Sequence, residues 1–343
     1  PPRSTLFPYT TLFRSTIEFR LLHSTPWAEA GYLVGFDQFH LPNEWLWDDY
    51  KKSAACKGES EDILSIMPTD ELSFDTMPAL NMKNISEKIV EINGGDFSIT
   101  LDKSKGSIIS FTYKDEILID GIFQPNLIRA FCDEYPMELG IWLPENQDDA
   151  QVNSCIITQL NEKCIHVKSE FQFNDFDELS SAGDEVLSIY THELMVYSSG
   201  DIIVKNTFEP KSQVIRVGMT ISNAIPRKFN QKVWYGRGPV QENAIGESYI
   251  NRKQSCPVGR YMRKVEDDVF YYFKPHECGN KVDVRWMALL DARKRGLLVS
   301  GIPLISTSCW PFNQDDLIAA KHNDELPDRE KFTLNIEIGR AHV

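Results

Sequence analysis

The chain reads as a mainly-β protein built around a large antiparallel sandwich. Three observations carry that reading. Apolar residues recur at every second position in several runs, turn-forming residues separate those runs at close spacing, and few stretches show the 3.6-residue period of a helix.

Thr16 to Pro42 holds two strand-like runs, the second including Tyr32-Leu33-Val34-Gly35-Phe36-Asp37-Gln38-Phe39. Residues 43–87 are polar and charged and carry Pro68 and Pro78, so they read as a linker. Asn93-Gly94-Gly95-Asp96 marks a turn. The runs Phe97 to Leu101 and Ile108 to Tyr113 flank Lys103-Ser104-Lys105-Gly106, which predicts a hairpin. From Cys164 to Phe173, Ile165, Val167, Phe171 and Phe173 point one way, and His166, Lys168, Glu170 and Gln172 the other. That period of two predicts a half-buried strand. Asp201 to Lys205 follows Ser199-Gly200, a second hairpin signal. Val282, Val284, Trp286 and Ala288 alternate against Lys281, Asp283, Arg285 and Met287, which predicts a strand with one apolar face. No internal repeat interrupts this pattern.

At 343 residues the chain has room for two domains, at roughly 150 residues each. Hydrophobic residues make up 42%, enough for a packed core and unlike a disordered chain. Acidic residues outnumber basic ones by 50 to 36, for a net charge of −14. That balance opposes a nucleic-acid partner, which selects a basic face. No apolar run approaches the roughly 18–20 residues of a membrane span, so no membrane partner is expected. Seven cysteines (positions 56, 132, 155, 164, 256, 278 and 309) are odd in number and follow no repeating spacing. Core or free thiols in a reducing, cytoplasm-like compartment fit them better than a disulfide framework. Asn84-Ile85-Ser86 matches a glycosylation sequon by pattern alone.

Chemistry-bearing constellations are sparse. Asp148-Asp149, Glu266-Asp267-Asp268 and Asp315-Asp316 are acidic clusters, but neighbours on a strand face opposite sides and cannot share one bond. They read as solvated loop charges. His276 and Cys278 have no second pair at a zinc-site spacing, so a loop histidine and a structural thiol are expected and no metal site. Gly236-Arg237-Gly238 precedes Pro239 with no helix pattern after it, and reads as a strand end rather than a dinucleotide loop. Trp234 and Tyr235 read as core or interface aromatics rather than sugar platforms. No G-x-S-x-G elbow is present.

Four motifs stand in order over 233–298. They are Trp234-Tyr235-Gly236-Arg237-Gly238-Pro239, Glu247-Ser248-Tyr249-Ile250-Asn251-Arg252-Lys253, Val258-Gly259-Arg260-Tyr261, and Pro275-His276-Glu277-Cys278-Gly279-Asn280-Lys281-Val282-Asp283-Val284-Arg285-Trp286. Together they resemble the last large domain of the bacterial-type β-galactosidases of glycoside hydrolase family 2. Trp27-Ala28-Glu29-Ala30-Gly31-Tyr32 and Gly35-Phe36-Asp37-Gln38-Phe39 are similar to the end of the immunoglobulin-like domain that precedes it. The resemblance implies a galactose-mutarotase-like super-sandwich over 88–337, preceded by the last strands of an immunoglobulin-like sandwich over 16–42. It departs from the family at Asn251, where Asp is usual, and at 240–246, which reads as an insertion.

The same resemblance implies a parent enzyme that hydrolyses terminal β-D-galactosides with retention, through two carboxyl groups. In the family those glutamates lie in a (β/α)₈ barrel encoded earlier, so no catalytic residue is expected here. The barrel also holds a divalent cation, magnesium, and the parent is expected to be a homo-oligomer. Asn126-Leu127-Ile128-Arg129-Ala130-Phe131-Cys132-Asp133-Glu134-Tyr135 resembles the family's N-x-x-R-A-P-x-D-N-D segment, and in the family the loop after that motif borders the active site. Arg129, Asp133 and Glu134 are thus the candidate substrate-rim residues, with pairing of Arg129 and Asp133 to fix the loop as the alternative. Phe131 stands where proline is usual.

Residues 1–15 and Ile338 to Val343 read as translated sequencing-adapter sequence and are set aside from fold reasoning. The biological part is then 16–337, a fragment expected to be inactive alone. Two further readings stand beside it: a non-catalytic carbohydrate-binding or assembly module, and an aldose 1-epimerase. The epimerase needs a His/Glu acid–base pair, for which His166 and His192 are the candidates.

Overall fold

The computed structural model describes residues 14–26, 28–40, 77–130, 150–175, 186–210, 216–238, 257–269, 271 and 274–339. Outside them lie Trp27, most of the expected linker, Asp148-Asp149, the 240–246 insertion and the Glu247 to Lys253 motif.

Strands dominate the described residues, and their pairings are antiparallel. β1 (Arg14–Arg20) and β2 (Leu33–His40) form a hairpin. A five-stranded meander follows: β3 (Asn81–Asn84), β4 (Ile89–Asn93), β5 (Phe97–Asp102), β6 (Ser107–Tyr113) and β7 (Glu116–Asp120). β9 (Gln151–Asn161), β10 (Cys164–Asp175), β11 (Val186–Tyr197) and β12 (Ile202–Glu209) make a four-stranded meander. The third sheet has seven strands. They are β8 (Phe123–Asn126), β13 (Val217–Pro226), β14 (Gln231–Arg237), β15 (Val258–Lys264), β16 (Lys281–Leu290), β17 (Gly296–Trp310) and β18 (Lys331–Gly339). Their order is β15-β14-β16-β17-β18-β13-β8. One short helix, α1 (Gln314–Ala319), lies between β17 and β18.

The expected hairpins form where the turn residues place them. Gly106 ends the β5–β6 turn at φ +60, and a Cβ there would stand 3.1 Å from the Phe171 ring. Gly200 turns β11 into β12 at φ +88, a backbone that L side chains rarely adopt. The β6–β7 turn carries no such signal. Lys114 and Asp115 take φ of 47 and 63, the positive values a two-residue type I′ turn requires.

One continuous core joins the three larger sheets. Ile165, Val167, Phe171 and Phe173 of β10 enter it, as their alternation predicts. So do Trp234 and Phe332, both fully buried. Each large apolar side chain so buried contributes about 1.5–3 kcal/mol relative to exposure.

Three expectations need correction. The linker is shorter than 43–87: β3 pairs with β4, and the Leu80 N–H donates to the Glu162 carbonyl at 2.7 Å. Leu80 enters the core and Met82 packs against it. Second, the alternation along 281–288 does not persist. β17 bulges, so that Val284 pairs with Ile305 but Trp286 with Ser300. The phase flips: Val284, Met287 and Leu289 face the core, and Trp286 is half-buried on the other side. Third, one member of each of two acidic clusters is not a solvated loop charge, whereas Glu266, Asp267 and Asp315 are exposed. Asp316 caps α1 in a reciprocal capping box and accepts two bonds from Arg329 at 2.6 Å. Asp268 is buried beside Lys232 and Lys281, which are themselves buried. At the outer ends, Arg14 and Ser15 continue β1 and Ile338 and Gly339 continue β18, since ladder pairing needs only backbone.

The Asp268 node is the most charged part of the interior. Lys281 Nζ lies 2.7 Å from Asp268 Oδ1 and donates to the Gly279 carbonyl at 3.0 Å. It also sits 5.0 Å from the Trp234 ring centre, a cation–π contact. Burial alone would raise the Asp268 pKa, but the two ammonium groups outweigh it and hold the carboxyl well below the usual range. Removing that one anion strands two buried cations. Asp268→Asn is therefore expected to cost about 3–5 kcal/mol in urea unfolding, and a loss under 1 kcal/mol would show that the lysines do not depend on it.

A second polar feature crosses the four-stranded sheet inside the core. Cys155, Ser169, His192 and Asn206 are successive cross-strand partners on β9 to β12. His192 is fully buried, its Nδ1 is 2.7 Å from Asn206 Oδ1, and its ring meets Phe123 edge-on at 5.4 Å. Burial lowers its pKa from 6.5 to about 4, opposed only by the Asn206 bond. The unfolded chain thus takes up the proton first. Stability is full above pH 6.5 and falls through the window from 6.5 to 4, by on the order of 3 kcal/mol. His192→Gln keeps a donor for Asn206 and does not titrate, so its Tm is expected to change less over that window. Parallel Tm–pH curves for both proteins would rule out His192 as the source.

Candidate functional site

The candidate rim begins where β8 ends. Leu127, Ile128 and Ala130 are buried and Arg129 is half-exposed between them. Asp133 and Glu134 lie outside the described residues, and with them any pairing to Arg129.

Residues 127–130 have no ladder partner, so buried side chains must satisfy their backbone. The Ile128 N–H donates to Asn126 Oδ1 at 3.3 Å, and the Ile128 carbonyl accepts from Arg216 Nη1 at 2.8 Å. Asn126 itself bonds Asn335 Oδ1 at 3.3 Å, and Asn335 reaches Ser308 Oγ at 3.2 Å. Ala130 packs into a small apolar cluster with Cys278, Trp310, Phe312 and Leu317. Trp310 Nε1 donates to the Cys278 carbonyl at 2.7 Å, which ties the 275–280 segment to the same place.

Arg216 is the hub. Its side chain is 1% exposed and donates to Glu277 and, at 3.0 Å, lies against Glu337 Oε1. Gln314 at the start of α1 donates to Glu277 Oε1 at 2.8 Å. One guanidinium thus joins the rim, the 275–280 segment and β18, with α1 held through Glu277. Burial would lower the Arg216 pKa, but the two carboxylates outweigh it and raise it. Glu277 and Glu337 are both engaged by Arg216. Sequence reading gave these residues no role. The signal was an arginine inside an apolar run, Val214-Ile215-Arg216-Val217, and a glutamate facing away from the core side of β18.

The other expected positions resolve differently. Trp234 is fully buried, stacked on Tyr261 at 5.5 Å, with Nε1 donating to the Arg237 carbonyl at 3.0 Å. It is a core aromatic. Tyr235 stacks on Trp286 at 6.4 Å on the other face of the sheet. Arg237 ends β14 and bonds Asp283 at 2.6 Å. Cys278 is buried, and His276 Nδ1 is 3.0 Å from the Glu277 carbonyl oxygen. His192 sits inside the core and cannot meet a sugar. His166 gains a partner that its sequence neighbourhood did not suggest: Nε2 lies 3.4 Å from Glu193 Oε1, across the strand pair, with Lys205 3.8 Å from the same carboxylate. Among the described residues no group of three or more His, Cys, Asp or Glu is placed to hold a metal ion. No helix of the described residues is long and apolar enough to cross a membrane.

Comparison with known proteins covers nearly the whole chain. It is 27% identical over 337 residues to a β-galactosidase of Priestia megaterium, covering 97% of this chain and 29% of that protein. It is 27% identical over 261 residues to a β-galactosidase of Halalkalibacterium halodurans, covering 72% of this chain and 24% of the other. A β-galactosidase of Vibrio cholerae is 35% identical over 122 residues, 36% of this chain and 10% of its own. The chain thus spans less than a third of the length of these relatives. The profile of the beta galactosidase small chain matches residues 93–343, more than two-thirds of the chain, and the protein belongs to that family.

Proposed function

We propose that the chain is part of a retaining β-galactosidase acting on terminal non-reducing β-D-galactosides of the lactose type. Residues 77–339 supply the scaffold, and the segment that starts at Arg129 supplies part of the active-site rim. The observation that carries this reading is the family match over 93–343, met by a fold that holds the matched rim segment rigidly at its base. Retaining hydrolysis needs two free carboxyl groups about 5–5.5 Å apart. The buried carboxylates of the described residues are committed instead: Glu277 and Glu337 to Arg216, and Asp268 to Lys232 and Lys281. The resemblance to glycoside hydrolase family 2 assigns the acid and the nucleophile to a preceding barrel of the parent, together with its magnesium ion. Arg129, with Asp133 and Glu134 beyond it, is assigned to substrate contact, and the parent to a homo-oligomer.

A second reading draws on His166 and Glu193. Their pairing is the type of acid–base couple that ring opening of an aldose uses, although the cross-strand contact with Lys205 serves a plain surface ion pair as well.

Two assays on the purified chain separate these readings. No turnover of a chromogenic β-galactoside is expected, and measurable hydrolysis would place both catalytic groups within the chain. Polarimetry of fresh α-D-galactose is expected to follow the uncatalysed rate. Acceleration that is lost in His166→Ala would instead establish the epimerase.

A further inference from the structure

The rim segment is held by a side chain far from it in sequence. Within 127–130, Ile128 offers both of its backbone groups to the buried side chains described above, and Asn126 takes one of them. The other, the carbonyl, rests on Arg216, 88 positions away. Arg216 is itself oriented by two carboxylates, one of which Gln314 fixes from α1. A planar guanidinium can serve three acceptors in fixed directions at once, which a lysine ammonium cannot match in geometry. Ile128, the residue before Arg129, is thereby held by Asn126 at its N–H and by one buried cation at its carbonyl.

We infer that Arg216 is a positioning residue for the β-galactosidase reaction: through the Ile128 carbonyl it sets the placement of Arg129, the first residue of the proposed rim, for contact with the bound sugar. The inference rests on the function proposed above. Arg216 touches no substrate itself. It acts by holding the rim within the narrow geometry that binding contacts need, where a displacement of about 1 Å is costly.

The test uses Arg216→Lys, which keeps the charge but cannot span Ile128, Glu277 and Glu337 together, and Glu277→Gln, which leaves Arg216 in place but loosens its orientation. In the full-length protein, Arg216→Lys is expected to raise KM for a chromogenic β-galactoside roughly tenfold, with kcat changed less than about twofold. Glu277→Gln is expected to move KM in the same direction by roughly threefold. A purely structural role would lower apparent kcat, through a smaller folded fraction, and leave KM alone. Amide hydrogen exchange of the 343-residue chain gives an independent readout: protection at 127–130 is expected to fall in Arg216→Lys while β16 and β17 stay protected. Unchanged KM in both variants, or exchange that rises across the whole seven-stranded sheet, would overturn the inference. If the unsubstituted full-length protein hydrolyses no β-galactoside, the proposed function fails by itself, and the inference about Arg216 falls with it even where exchange shows the tether.

Discussion

Much of the seven-stranded sheet is buried on both faces, and the charged nodes of the structure answer to that constraint. One face of β15 and of the first half of β17 meets solvent, at Met262, Leu298 and Ile302, but where both faces are covered a charge cannot be left to water. On the core side, Lys232 and Lys281 sit on adjacent strands β14 and β16 and find a shared carboxylate in Asp268, supplied by the turn after β15. Near its other end, Arg216 before β13 and Glu337 on β18 find each other and Glu277. Buried ion pairs of this kind add little net stability, because desolvation offsets attraction. What they contribute is direction. Each node has fixed donors and acceptors, so each specifies which segments meet.

That reasoning separates what the sequence shows from what it hides. The four-stranded sheet was legible along Cys164 to Phe173 because one face is apolar and the other carries His166, Lys168 and Glu170. The β16 strand was misread for the opposite reason. With both faces buried, apolar residues fall at odd and even positions alike, and the β17 bulge shifts the phase at Val284. Between Lys281 and Val284 β16 advances three residues against two, with Asp283 at φ 52, and between Val284 and Trp286 the partner advances five against two; a period of two does not survive such irregularities. Asp268 was misread because acidic runs in an acidic chain are mostly solvated. Its partners stand 36 and 13 positions away, and sequence spacing gives no hint of either.

The site was legible only as a segment. The Asn126 to Tyr135 run pointed to a candidate rim, and Arg129 is partly buried just past the end of β8. What sequence could not give is the cause of its placement. Arg216, Glu277, Gln314 and Glu337 come from four separate stretches, and each looks ordinary in its own surroundings. Glu337 follows Leu334 and Ile336 in an alternating strand, where an outward glutamate normally meets water. Burial is a property of the assembled fold, and here it turns an unremarkable glutamate into half of a clamp.

The same logic reaches the β1–β2 hairpin. Strand β15 is an edge of the seven-stranded sheet, and an edge offers unpaired N–H and C=O groups. Gln38 meets them as a strand would: its Nε2 donates to the Val258 carbonyl at 2.9 Å, and its Oε1 accepts from the Val258 N–H at 3.0 Å. A single amide side chain thus reproduces one hydrogen-bonded pair of a ladder. Arg260, Arg263 and Lys264 along the same strand place positive charge on the rest of the edge, which discourages further strand addition. Gln38 thus ties the hairpin to this edge with two directional bonds, while the strand it touches carries positive charge. Directional polar contacts set the places where segments meet, at Gln38 as at Arg216, and the apolar core supplies the cohesion that lets so few of them suffice.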